Sequence, residues 1–101
     1  MHDMGKLKNL KNVDAGAPES MKAFWAFDKA AFGAGELSVQ TKQLIAVAVA
    51  LTTQCPYCIE IHTKEARIAG ATSAQLSEAA VVAAAIRAGG AITHAAHLFE
   101  D

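Results

Sequence analysis

Cys55-Pro56-Tyr57-Cys58-Ile59-Glu60-Ile61-His62 is the stretch that decides how the chain folds. Proline has a fixed φ and no amide hydrogen, so it suits the first turn of a helix and not its interior. Pro56 therefore opens a helix and makes Cys55 its N-cap or close to it. At about 100° per residue, Cys55 and Cys58 lie about 60° apart around that helix, and His62 lies about 40° from Cys58. All three share one face. The unpaired amides and the dipole at a helix N-terminus favour a thiolate, most of all at Cys55. His62, four residues beyond Cys58, is placed to accept its thiol proton. Two thiols in different surroundings suit a division of labour, in which one is oxidised and the other resolves the product as a disulfide.

Working outward, the helix that begins at Pro56 stops near Gly70, and Thr72-Ser73-Ala74-Gln75 has the spacing of a capping box. The next helix runs about Ser73 to Ala88. Gly89-Gly90 is expected to break it, leaving a last helix over about Ala91 to Phe99 that carries His94 and His97. On the N-terminal side, Ser38 can cap a helix over about Val39 to Thr52 with apolar Leu44, Ile45, Val47, Ala48 and Leu51. Its β-branched residues would also permit a strand. Its length, its alanines and the lack of any other strand candidate favour helix. Pro18 opens an aromatic-rich helix with Met21, Phe24, Trp25, Phe27 and Phe32, ending at Gly33-Ala34-Gly35. Residues 1–16 read as a loose, lysine-bearing arm (Lys6, Lys8, Lys11), and 17–101 as a single domain. The fold class expected is all-α, a small subunit of about five to six helices with antiparallel neighbours.

The 101 residues are 52% apolar and 19% charged, with a formal net charge of −1 and a mean hydropathy of +0.21. So small a domain has much surface for its volume, and an apolar excess implies that some helical surface is buried between subunits. The balanced charge gives no case for nucleic acid or an anionic membrane. No segment reads as a signal peptide, and the longest apolar stretch, Leu44 to Leu51, is too short to span a bilayer. A cytoplasmic protein is therefore expected, where a CxxC pair is more often catalytic or metal-binding than a structural staple.

The chain resembles the carboxymuconolactone decarboxylase-like, or alkylhydroperoxidase D-like, family. The resemblance rests on Lys42-Gln43-Leu44-Ile45-Ala46-Val47-Ala48-Val49-Ala50, on Cys55 to Thr63, and on Ala66-Arg67 with Ala69-Gly70-Ala71-Thr72. It implies an all-helical subunit assembling as a homotrimer or homohexamer. It also implies hydroperoxide reduction by a dithiol–disulfide cycle, with an external dithiol such as a thioredoxin-like or lipoyl protein as reductant and no bound cofactor or metal. By position, Cys58 resembles the thiol that attacks the peroxide. Cys55 resembles the resolving partner that meets the reductant, and His62 a member of the proton relay. Members without the cysteine pair decarboxylate aromatic-catabolism intermediates, and the two cysteines here argue against that chemistry. The peroxidase pattern has a relay glutamate where this chain has Gln43, which cannot exchange a proton at ordinary pH. It often has a histidine where this chain has Tyr57. Glu65, Glu60 or His94 could complete the relay. Glu65 shares the face of His62, whereas Glu60 points roughly opposite Cys58 on an ideal helix.

Three other readings accompany this one. The pair could serve general disulfide exchange or redox response with little peroxidase activity. Cys55, Cys58 and His62 could join His94 or His97 as a structural zinc set. The cluster Phe24, Trp25, Phe27 and Phe32 reads as core or subunit interface, or as an apolar wall for an organic hydroperoxide.

Overall fold

A computed structural model describes residues 2–100. Among them the chain forms five α-helices and two short 3-10 segments, with no strand. The helices are α1 (Leu10–Gly16), α2 (Pro18–Phe32), α3 (Val39–Thr53), α4 (Pro56–Ile68) and α5 (Ser73–His94). The 3-10 segments are Met4–Asn9 and Ala95–Leu98. The all-α expectation therefore holds. The chain divides into two compact units, one up to Val39 and one from Gln40 onward.

In the first unit, the segment expected to be an arm is helical. The Asp3 side chain accepts from the Gly5 amide at 2.9 Å. Asp14 on α1 accepts a hydrogen bond from Trp25 Nε1 on α2 at 2.7 Å. Pro18 opens α2 as its sequence demands. Phe24 meets Trp25 edge to face, with centroids 5.0 Å apart.

The second unit holds the cysteines. Here α3 buries Gln43, Val47 and Ala50, positions i, i+4 and i+7 of one helical stripe. Ala66 of α4 is fully buried, and with Val47 and Ala71 it forms a core on which Leu44, Leu51 and Leu76 pack. So small a residue lets helices approach closely. Side-chain bonds fix the register. Gln40 Nε2 donates to the Ala69 carbonyl at 3.0 Å, tying the start of α3 to the end of α4. Gln75 Nε2 reaches Gln40 Oε1 at 3.5 Å, and Arg87 Nη1 donates to the Thr52 carbonyl at 2.6 Å. These two links place both ends of α3 beside α5 in the same direction. The three helices therefore run up, down and up.

Two tight corners make this possible, and both are Schellman-type helix ends. At the end of α4, Gly70 has φ 94°, with Ala71 N–H on the Ala66 carbonyl at 2.9 Å and Gly70 N–H on the Arg67 carbonyl at 3.0 Å. The capping box follows at once. Thr72 Oγ1 accepts from the Gln75 amide at 3.1 Å, and Gln75 Oε1 accepts from the Thr72 amide at 2.8 Å. A Cβ at position 70 would sit in left-handed backbone and 3.2 Å from Gln40 Nε2. Gly70→Ala is expected to cost about 1–2 kcal/mol of stability, read from denaturant unfolding.

The structure corrects one boundary. Gly89-Gly90 does not break the helix, because α5 continues through both to His94. Each glycine in a helix interior costs only about 1 kcal/mol relative to alanine, and the alanine-rich flanks favour helix. A last helix over Ala91 to Phe99 is replaced by the end of α5 and the 3-10 turn. Within the continuous helical run Ser73–Leu98, an 18-residue window has a mean hydropathy of 1.4, enough by length and composition alone to cross a membrane. That window is interrupted by Arg87, so the uninterrupted apolar run Leu44 to Leu51 is matched in length only by Ala79 to Ile86. The helical run includes Glu78 and Arg87, and Val81, Val82, Ile86 and Ile92 are all exposed on it.

Candidate active site

The chain arrives at the cysteines through the second Schellman corner. Gln54, at φ 58°, takes the left-handed position after α3, and the Cys55 amide donates to the Ala50 carbonyl at 3.2 Å. Cys55 thus ends one helix while it starts the next. As N-cap of α4, its Sγ accepts from the Cys58 backbone amide at 3.3 Å. The Cys55 and Cys58 sulfurs lie 2.8 Å apart, and both cysteines are free and half-buried.

One proton cannot serve both sulfurs equally. The hydrogen bond with the Cys58 side chain, helped by the Cys58 and Tyr57 amides, holds the Cys55 thiol below its ordinary value. The same contact with Cys55, aided by burial and by the charge on Cys55, pushes the Cys58 thiol up. Cys55, the sulfur closest to the helix end, is therefore the more acidic of the two. Cys58→Ala removes the largest of these supports. The pH midpoint for alkylation of Cys55 by iodoacetamide is expected to rise in that variant, and an unchanged midpoint would show that the backbone alone sets it.

Cys58, His62 and Ala66 follow one another at i, i+4 and i+8, so His62 stands on α4 between the sulfurs and the core. Its Nδ1 lies 2.8 Å from Gln43 Oε1 on α3. Gln43 is only 6% exposed, the most deeply placed polar side chain among the described residues. Sequence reasoning treated position 43 as the gap in a relay. The structure shows that it is joined to the histidine.

Tyr57 is half-buried at the first turn of α4, and Glu60 and Glu65 are exposed. His94 is exposed, bonded through Nδ1 to the Gly90 carbonyl at 3.1 Å, with His97 5.7 Å away. Among the described residues no three His, Cys, Asp or Glu side chains are grouped to hold a metal ion, so the zinc set is not assembled. A cavity of about 350 Å³ opens beside the corner, lined by Leu51, Thr52, Gln54 and, from α5, Ala80, Ala83, Ala84 and Arg87. Neither cysteine lines it.

Fold and site together define an all-helical protein that presents a paired-thiol CxxC at a helix start, backed by a histidine. Residues 18–101 match the carboxymuconolactone decarboxylase family, and the chain belongs to that family. It is 59% identical over 73 residues to uncharacterized protein 4 of the cox locus of Paracoccus denitrificans, covering 72% of this chain and 66% of that protein. An uncharacterized protein of Cupriavidus necator is 42% identical over 73 residues, covering 72% and 63%. The matched part thus spans just under two thirds of the length of these relatives. Among solved structures, a protein from Methanobacterium thermoautotrophicum superposes with a TM-score of 0.80 at 40% identity, covering 85% of this chain and 97% of that one. A carboxymuconolactone decarboxylase family protein from Legionella pneumophila gives 0.75 at 33% identity, covering 89% and 80%.

Proposed function

We propose that the chain is a thiol-dependent peroxidase that reduces hydroperoxides through a Cys55–Cys58 dithiol–disulfide cycle. The observation that carries this reading is the contact of two reduced sulfurs at the start of α4. In the cycle, His62 takes the proton of Cys58. The Cys58 thiolate attacks one peroxide oxygen, an S–O bond forms as the O–O bond breaks, and the departing alkoxide takes the proton from His62 as the alcohol. Cys58 is then a sulfenic acid. The Cys55 thiolate attacks its sulfur, closing the disulfide, and the hydroxide released becomes water on taking up a proton. Two thiols and one hydroperoxide become one disulfide, one alcohol and one water. An external dithiol, thioredoxin-like or lipoyl, returns the pair to thiols by exchange at Cys55. The acidity order suits this cycle, because the sulfur that must act as the resolving thiolate is the more acidic of the two.

The exposed Val81, Val82, Ile86 and Ile92 of α5 support assembly as a homotrimer or homohexamer that covers them. One equivalent of peroxide should lower the intact mass by two hydrogens per chain, and a dithiol should restore it. Accumulation of a one-oxygen adduct would contradict the resolving role of Cys55.

A second reading is favoured by one observation. The more acidic thiol is Cys55, at the helix end, where a partner disulfide would meet it. General dithiol–disulfide exchange with protein or lipoyl partners uses that sulfur as the nucleophile and needs no proton relay.

A further inference from the structure

We propose that Gln43 is a positioning residue whose amide oxygen locks His62 in the Nδ1–H tautomer, making Nε2 the single basic nitrogen and the end of the proton path. The inference rests on the peroxidase reading only in naming Cys58 as the source of that proton.

A buried amide is costly unless it is hydrogen-bonded. Gln43 nevertheless lies on the core stripe of α3, in line with Val47 and Ala50, and its Oε1 meets His62 Nδ1 at 2.8 Å. An amide oxygen can only accept, so Nδ1 must carry the hydrogen. A neutral imidazole protonated on Nδ1 holds its lone pair on Nε2. The bond also fixes the ring plane, because it ties α4 to a side chain that the core of α3 holds in place. A carboxylate at position 43 would accept the same bond, but it could also take a proton itself and would stabilise the imidazolium. The amide does neither. It keeps the orientation and gives up the step beyond the ring, so the proton taken by His62 must leave from the nitrogen that received it.

The test is the nitrogen-15 spectrum of the histidine rings in the reduced protein with no peroxide present. The His62 signals are assigned by their loss in His62→Gln. Neutral His62 in the wild type is expected to carry its hydrogen on Nδ1. Gln43→Leu should move most of the population to the Nε2–H form, and Gln43→Glu should restore Nδ1–H, a rescue that a merely space-filling role would not give. A wild-type hydrogen on Nε2, or an unchanged tautomer in Gln43→Leu, overturns the proposal. The wild-type spectrum decides even where a variant fails to fold. Because the spectrum is read without turnover, an Nδ1–H tautomer in a protein inert to peroxide would sustain this inference and overturn the peroxidase reading alone.

Discussion

Cys58→Ser is expected to lower peroxide turnover by at least about a hundredfold, because a hydroxyl at neutral pH is a far weaker nucleophile than a thiolate. The substitution is nearly isosteric and falls at a half-buried position, so the helix should persist. Serine can still donate to Cys55 Sγ, so the acidity of Cys55 should largely survive. The variant therefore separates the two sulfurs. Peroxide turnover supported by an excess of dithiol should vanish while alkylation of Cys55 stays fast. Retention of wild-type turnover would move the attacking role away from Cys58. Cys55→Ser, by contrast, should allow one attack per chain and stop at the sulfenic acid, since no thiol stands 2.8 Å away to close the disulfide.

The second large effect concerns His62. Its replacement by alanine should slow peroxide attack by about a hundredfold, the usual contribution of a positioned general base. Cys58 needs that base more than Cys55 does, because contact with Cys55 and burial hold the Cys58 thiol in its protonated form. The acidity of Cys55 has other sources, namely the Cys58 side chain and the amides of the first turn of α4. Exchange between Cys55 and a small disulfide should therefore change little in the same variant. Equal loss of both rates would point to a disturbed helix, and no loss of either would remove His62 from the chemistry.

Much of this was legible in the sequence where the cause is local. Pro56 can only begin a helix, Gly70 can readily adopt a left-handed φ, and Thr72 with Gln75 forms both bonds of its capping box. The sharing of one face by Cys55, Cys58 and His62 followed from helical periodicity alone. The help that Cys55 draws from the first-turn amides followed from its place at the helix end, although its largest support is the Cys58 side chain.

Other features depended on what the helices pack against. Gly89-Gly90 reads as a break, yet no neighbouring atom lies near the Cβ positions of either residue, and the flanking alanines carry α5 through. The left-handed Gln54 gives no signal in sequence, because the corner is imposed by the bond from Cys55 to Ala50 and glycine is absent. A wheel drawn for α4 alone placed Glu65 beside His62, but it could not show that Glu65 is exposed. The partner of His62 came instead from α3. The clue was available: Gln43 sits four and seven residues before Val47 and Ala50, which places a polar side chain on a core stripe. Such a residue requires a buried hydrogen-bond partner, and His62 supplies it.

The most direct test of the central claim is a stopped-flow reaction of the fully reduced protein with hydrogen peroxide and with an organic hydroperoxide, followed against a free thiol under the same conditions. The account predicts oxidation far faster than the free thiol, ending in loss of two hydrogens per chain. Oxidation no faster than the free thiol would contradict the peroxidase reading and leave Cys55 and Cys58 as a couple for disulfide exchange.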